Sequence, residues 1–386
     1  MLPAVEHLYV HVPFCAKKCA YCAFYSEASD GELINRYTEA LVRELELVAH
    51  DLRPRTVFFG GGTPSLLNLR QWQRIFAAME RLNILGAGEW TIECNPATVS
   101  ADKARLFREH GVNRISMGAQ TFDETLLEKL GRIHSRDMIY KSFDTLRAAG
   151  FDNVNIDLMF AIPGQTMQAW RETLREALAL GTEHLSCYEV IYEEDTPLFD
   201  QLQAGSIMPN EDLACDMHEE LLATLESNGF DQYEVANFAR RHPSDSDGIP
   251  RRACRHNVNY WRGGSYYGLG PSAAEYVRGV RTKNWSNTVL WCEQVEQGRR
   301  AIESSERLAP LARAGELAAF GLRMNIGWPL AEFKERSGFD LRGEWSAEIN
   351  RLTELGYGAI EGGRFHLTKR GMRYADWAAE EFLRPG

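Results

Sequence analysis

The sequence predicts an α/β fold: six β/α units around a parallel sheet, followed by a small, mainly helical domain. Three observations predict it. Short β-rich runs recur at 8–14, 56–62, 90–96, 114–120, 153–162 and 184–192, with helix-like stretches between them. Strands that alternate with helices in this way form a parallel sheet with helical crossovers. The last 85 or so residues change character: "LAAFGLRMNIGW", "WSAEINRLTELGYGAIEGGRFHLTKRGM" and "ADWAAEEFL" read as helices with a short hairpin, in the style of a winged helix. The six units fit either an open doubly wound sheet or a partial (β/α)6 barrel.

Between the first two strands, Leu33, Tyr37, Leu41, Leu45 and Val48 fall on one helical face. Gly150 and Gly181 close later helices, as C-terminal glycines do. In either architecture a ligand site lies at the C-terminal strand ends. The first four strands lead there into the cysteines, "GGGTPS", "ECNP" and "GAQTF". A polar break, "RRHPSDSDGIPRRACRH", follows at 240–256 and reads as an exposed loop. The expected division is a β/α core at 1–240, a connecting segment at 241–300 and a C-terminal domain at 301–386.

The 386 residues are 44% hydrophobic and 25% charged, as in globular proteins. The net charge of −11 excludes a general nucleic-acid binder, which needs a basic surface. From Ala301 onward 12 Lys/Arg stand against 13 Asp/Glu, so DNA binding by this region is not expected either. No apolar run reaches the length of about 18 residues that spans a bilayer. "MLPAVEHLYVHVPF" lacks the basic start and long apolar stretch of a signal peptide. A cytoplasmic location is expected, with any membrane association peripheral and through partners. Eight cysteines there suggest ligands or buried thiols rather than disulfides.

"HVPFCAKKCAYCAFYS" places Cys15, Cys19 and Cys22 in a C-x3-C-x2-C loop. A [4Fe–4S] cluster takes four thiolates, one per iron, so three leave one iron open to a substrate. Zinc is the competitor, with His7 or His11 as a fourth ligand, although the spacing is unusual for it. Three incidental thiols are the bland alternative. "GGGTPS" (60–65) gives a backbone that a ligand can approach closely, or simply a tight turn. Glu93 offers a carboxylate at a strand end to a ribose or an ammonium group. Gln120, Arg132 and Asp157 are similar, and each read singly is more often structural.

The cysteine motif resembles that of the radical S-adenosylmethionine (SAM) superfamily. The resemblance implies a partial (β/α)6 radical SAM barrel, with SAM chelating the open iron through its amino and carboxylate groups. Reductive cleavage to a 5′-deoxyadenosyl radical is implied as well. "YVHVPFCAKKCAYCAF", "FFGGGTPSLL", "RISMGAQTFDETLLEKLGRIHS" and "NIDLMFAIPGQT" resemble the oxygen-independent coproporphyrinogen III oxidase family over almost the whole chain. By that resemblance Tyr9, Tyr21, Gly61, Gly62, Thr63, Glu93, Gln120, Arg132 and Asp157 contact SAM, and Gly60 shapes the loop beside them.

Two branches of the family compete. The decarboxylating oxidase, which acts on a porphyrinogen, has a longer N-terminal extension and a further cysteine two residues after the third ligand. Here that position is Phe24. The heme-chaperone branch, HemW, carries H-N-x-x-Y-W, present as His256, Asn257, Tyr260 and Trp261. An imidazole can ligate heme iron, and the aromatic rings can face a porphyrin. Arg251, Arg252 and Arg255 could meet the propionates, and Cys254 is an alternative iron ligand. A lone His–Asn pair beside a Trp is otherwise a core feature. The chain departs from the family at Ala23, where Asp is usual, and at Ala274, where His is usual. The resemblance implies heme-accepting proteins, respiratory enzymes among them, and an electron donor as partners, and allows a homodimer.

Overall fold

A computed structural model describes residues 3–28, 30–245 and 248–385. Met1 and Leu2 of the stretch read for a signal peptide, and Ser246 and Asp247 of the polar break, lie outside the described residues. The chain divides into two units. The first comprises Met1–Asn228, Tyr266–Val277 and Arg281–Ser305; the second comprises Gly229–Ser265, Arg278–Val280 and Glu306–Gly386. The expected middle segment is thus shared between them, because Tyr267–Leu269 joins the first unit's sheet as a parallel edge strand.

The first unit contains β1 (Val5–Val12), β2 (Phe14–Cys15), β3 (Glu27–Ala28), β4 (Leu52–Gly61), β5 (Glu89–Cys94), β6 (Arg114–Gln120), β7 (Val154–Phe160) and β8 (His184–Glu189). Its sheet runs Tyr267–Leu269, β1, β4, β5, β6, β7, β8. Each pairing between these neighbours is parallel. β2 and β3 pair separately, and from β1 onward each strand of this sheet lies beside the sheet's next strand in chain order. A doubly wound sheet reverses its order; a barrel does not. The chain therefore forms the partial barrel.

Strand period explains the layering. Trp90 and Ile92, Ile115 and Met117, Val154 and Ile156 alternate along their strands and are fully buried. The intervening positions are polar: Thr91 and Glu93, Arg114 and Ser116, Asn155 and Asp157, His184 and Ser186. The barrel therefore has one apolar face and one polar face. On the apolar side Trp72 packs 5.1 Å from Phe59 and 5.2 Å from Phe76.

The crossovers are α1 (Gly31–Val48), α2 (Leu69–Arg81), α3 (Ala101–Glu109), α4 (Glu124–Lys129), α5 (Arg136–Ala148) and α6 (Met167–Ala179). Each opens on a polar cap, Asp30, Asn68, Ser100, Asp123, Ser135 or Thr166, whose side chain accepts a backbone N–H of the first turn. Such caps contribute about 1 kcal/mol each. In α1, Tyr37, Leu41, Leu45 and Val48 are buried as the spacing predicts, and Leu33 is half-buried. Gly150 and Gly181 take φ of 87° and 72° just past α5 and α6.

The second unit packs helices Pro310–Leu322, Leu330–Ser337, Ser346–Glu354 and Ala375–Glu380 around Trp328, Phe333, Trp345, Phe365 and Phe382. Strands Gly358–Glu361 and Arg364–Leu367 form the antiparallel hairpin expected of a winged helix, with Trp328–Pro329 on its other edge.

Candidate cluster and cofactor site

β1 is an apolar strand that stops at Pro13, and the short β2 and β3 pair at the two ends of the following loop. The loop therefore leaves and returns at one place, with its three cysteines between. Its middle is pinned by Ala20, whose N–H donates to the Leu130 carbonyl at 3.0 Å and whose carbonyl accepts the Leu198 N–H at 2.9 Å. Cys15, Cys19 and Cys22 are all half-buried. Arg132 donates from Nη1 to the Cys19 sulfur at 3.4 Å and from Nη2 to the Gly118 carbonyl at 2.6 Å. The guanidinium thus ties the cysteine loop to the end of β6. Thr63 Oγ1 lies 3.6 Å from the Cys15 sulfur. Burial pushes the Cys22 thiol up.

The cysteines edge a cavity of about 470 Å³. Its walls include Tyr21, Gly61, Gly62, Thr63, Glu93, Gln120, Arg132 and Asp157, so the strand ends bring these predicted residues together with the thiols. Tyr9 stands outside the lining; its hydroxyl bonds His11 Nδ1 at 3.0 Å. Ala23 and Phe24 are at the rim, with Phe24 69% exposed.

The glycine loop follows β4 because it must pass close to β1. Gly62 N–H donates to the Val12 carbonyl and Thr63 N–H to the Phe14 carbonyl, both at 2.8 Å. A Cβ on Gly62 would lie 2.8 Å from the Phe14 carbonyl oxygen. The loop so held presents bare backbone to the cavity. Gln120 ends β6 at φ 68°, beside an irregularity in the pairing with β7. Such a conformation is strained for a side-chain-bearing residue and clusters at ligand sites.

Glu93 and Asp157 enter the cavity from β5 and β7. Burial, then the charge of Asp157, pushes the Glu93 carboxyl up to about 8. Asp157 is raised as well, chiefly by burial, although Asn155, Arg114, Ser186 and Ser116 oppose the shift. Two half-buried carboxyls lining a ligand cavity favour a cationic or hydrogen-bond-donating guest. Three thiols, an adjacent guanidinium, open backbone and two such carboxyls fit a cluster with SAM bound to it.

The histidines named for zinc have other uses. His11 bonds Tyr9 through Nδ1 and donates from Nε2 to the Tyr25 carbonyl at 2.9 Å; burial pushes its pKa to about 4. His7 Nδ1 bonds the Thr56 hydroxyl at 2.8 Å.

The second unit carries the predicted heme segment on a short helix, Arg255–Trp261. His256 is 1% exposed, and its Nε2 is hydrogen-bonded to the Tyr260 hydroxyl at 2.7 Å, one helical turn on. Asn257 is half-buried. Trp261 packs beside Tyr233, Val258 and Met324, with the Arg323 guanidinium 4.9 Å from its ring. Cys254 is buried, and Arg251 and Arg255 are exposed. Ligation of iron by His256 Nε2 requires the Tyr260 hydroxyl to move aside. Ala274 belongs to the first unit and is exposed.

Residues absent from the sequence reading are Ser116, Asn155 and His184. The alternation of polar residues in "NVNID", inside an otherwise apolar strand, was the signal for Asn155.

Comparison with known proteins agrees with this geometry. The Radical SAM superfamily model matches residues 9–177, and the HemN C-terminal domain model matches 308–374. A Lactococcus lactis protein named heme chaperone HemW is 32% identical over 385 residues, covering 99% of this chain and 98% of its own. The Bacillus subtilis protein of that name is 31% identical, covering 98% and 99%. The solved structure of coproporphyrinogen III oxidase (HemN) from Escherichia coli superposes with a TM-score of 0.83 at 22% identity, covering 99% of this chain and 91% of that one. The chain belongs to the radical SAM superfamily and, within its coproporphyrinogen III oxidase-like family, to the HemW branch.

Proposed function

We propose that this protein is a heme chaperone. It holds a [4Fe–4S] cluster on Cys15, Cys19 and Cys22, binds SAM in the adjoining cavity, takes up heme at the His256 segment and passes it to hemoproteins. The observation that carries the cofactor reading is the convergence of the three thiols, the glycine loop and the half-buried Glu93 and Asp157 on one cavity. When bound, the cluster supplies an electron to SAM. The chain's own part is to hold the Cys19 sulfur in place through Arg132, to receive the ligand's donor groups on the two carboxyls and to leave one ligand position free. An electron donor for the cluster and a second copy of the chain complete the proposed partners.

No helix among the described residues is long and apolar enough to cross a membrane. The proposal places the protein in the cytoplasm, reaching membranes through its acceptors. The relatives' names and the exposed Phe24, where the oxidase branch has cysteine, favour the chaperone over a porphyrinogen oxidase. The test adds heme-loaded, anaerobically reconstituted protein to heme-depleted respiratory membranes. Recovery of oxidase activity beyond that given by equal free heme is expected, without turnover of coproporphyrinogen III by the same preparation with SAM and reductant. Turnover without recovery would reverse the assignment.

A further inference from the structure

Asp157 is the cavity residue with the most elaborate support. The strand registers set it up in two layers. Ser116 of β6 and His184 of β8 flank Asn155 of β7; one step along, Gly118 and Ser186 flank Asp157. Asn155 and Asp157 are two apart on one strand, so both face the polar side of the barrel. Ser116 and Asp157 line the cavity, and Asn155 stands behind them, 1% exposed.

Asn155 is fully engaged there. Its Nδ2 donates to Asp157 Oδ1 and to Ser116 Oγ, both at 2.7 Å. Its Oδ1 accepts from His184 Nδ1 at 2.6 Å and from Ser186 Oγ at 3.2 Å. The Asp157 carboxylate only accepts, so Nδ2 faces it and Oδ1 faces His184; Nδ1–H of the neutral imidazole is then the donor and the carboxamide has one orientation. Turned over, the amide would set its oxygen against the carboxylate. Ser116 Oγ adds a donor to Asp157 at 3.3 Å.

We propose that Asn155, oriented by His184, is a positioning residue that aims the Asp157 carboxylate at the hydrogen-bond donors of the ligand. This rests on the reading that SAM occupies the cavity. Asn155 touches no ligand itself; its role is to hold the acceptor in one rotamer before the ligand arrives. Pre-set acceptors of this kind bind without reorganisation.

The experiment is SAM binding by equilibrium dialysis to the anaerobically reconstituted full chain. It compares wild type, Asn155→Leu, Asp157→Asn and the double variant. Asn155→Leu is expected to weaken binding roughly tenfold, the scale of one charge-assisted hydrogen bond. In the Asp157→Asn background it is expected to have no further effect, because the two act as one unit. Additive losses overturn the inference. Failure of wild type to bind SAM overturns the cavity reading beneath it. Should Asn155→Leu not fold, His184→Leu takes its place in the cycle. His184→Asn, which keeps an N–H toward Asn155, is then expected to retain wild-type affinity, and a loss equal to that of His184→Leu contradicts the inference.

Discussion

The imidazole of His11 lies directly against the Gly61 backbone: a Cβ on Gly61 would stand 2.7 Å from both Cε1 and Nδ1 of that ring. Gly61 also has φ 106°, where side chains other than hydrogen are strained. The ring itself cannot retreat, because Tyr9 and the Tyr25 carbonyl hold its two nitrogens.

Gly61→Ala therefore combines overpacking with backbone strain. It is expected to destabilise the protein by about 1–3 kcal/mol and to weaken SAM binding as the loop shifts. Urea unfolding and equilibrium dialysis check the two effects separately. Gly150→Ala is the control: its Cβ would meet nothing within 4 Å, although φ is 87° there, so it shares the strain without the contact and should leave SAM affinity unchanged.

Glu93 gives a pH signature. Its folded carboxyl titrates at about 8, raised first by burial and then by Asp157. A carboxyl raised on folding binds its proton more tightly in the native state. Its contribution to stability is complete below the unfolded pKa, about 4.3, and is lost as pH rises through about 8. Ligand-free protein should lose up to about 1.4 kcal/mol per pH unit across that window through this group. Glu93→Gln should flatten the slope, as measured by denaturation midpoints from pH 5 to 8.5. An unchanged slope would show that Glu93 does not titrate there.

Much of this was legible in the sequence because it is local. Three cysteines within eight residues announce a metal loop wherever the fold puts them. Gly61, Glu93 and Gln120 could be placed because each ends a strand that its own composition reveals. Tyr267–Leu269 could not: three residues are too few to show a period, and its partner β1 lies over 250 residues away. Asn155 and His184 were hidden for the same reason, since they meet across neighbouring strands. The His256–Tyr260 bond was within reach, because residues four apart share a helical face.

Glu44 and Arg300 tie the later part of the first unit to α1. Glu44 is fully buried and accepts from Arg300 Nε at 3.1 Å and from Gly270 N–H at 2.8 Å; Arg300 also reaches Glu275 at 2.8 Å. Arg300→Met leaves two buried carboxyls without their cation and should cost about 3–5 kcal/mol at neutral pH. Burial already raises Glu44, and loss of Arg300 raises it further. Protonation then relieves the defect, so the destabilisation should shrink as pH falls from 7 toward 5. Thermal unfolding of wild type and variant across that range checks the sign.

The proposed function joins a SAM-binding cluster site to a heme segment in one chain. Its most direct test is a heme titration of the anaerobically reconstituted protein by difference spectra, in wild type, His256→Ala and Tyr260→Phe. A saturable Soret band is predicted in wild type, weakened or shifted in His256→Ala. Tyr260→Phe should bind heme more tightly, because the hydroxyl that occupies His256 Nε2 at 2.7 Å is gone. A band identical in all three proteins would remove His256 as the ligand, and no specific band in any of them would contradict the chaperone account.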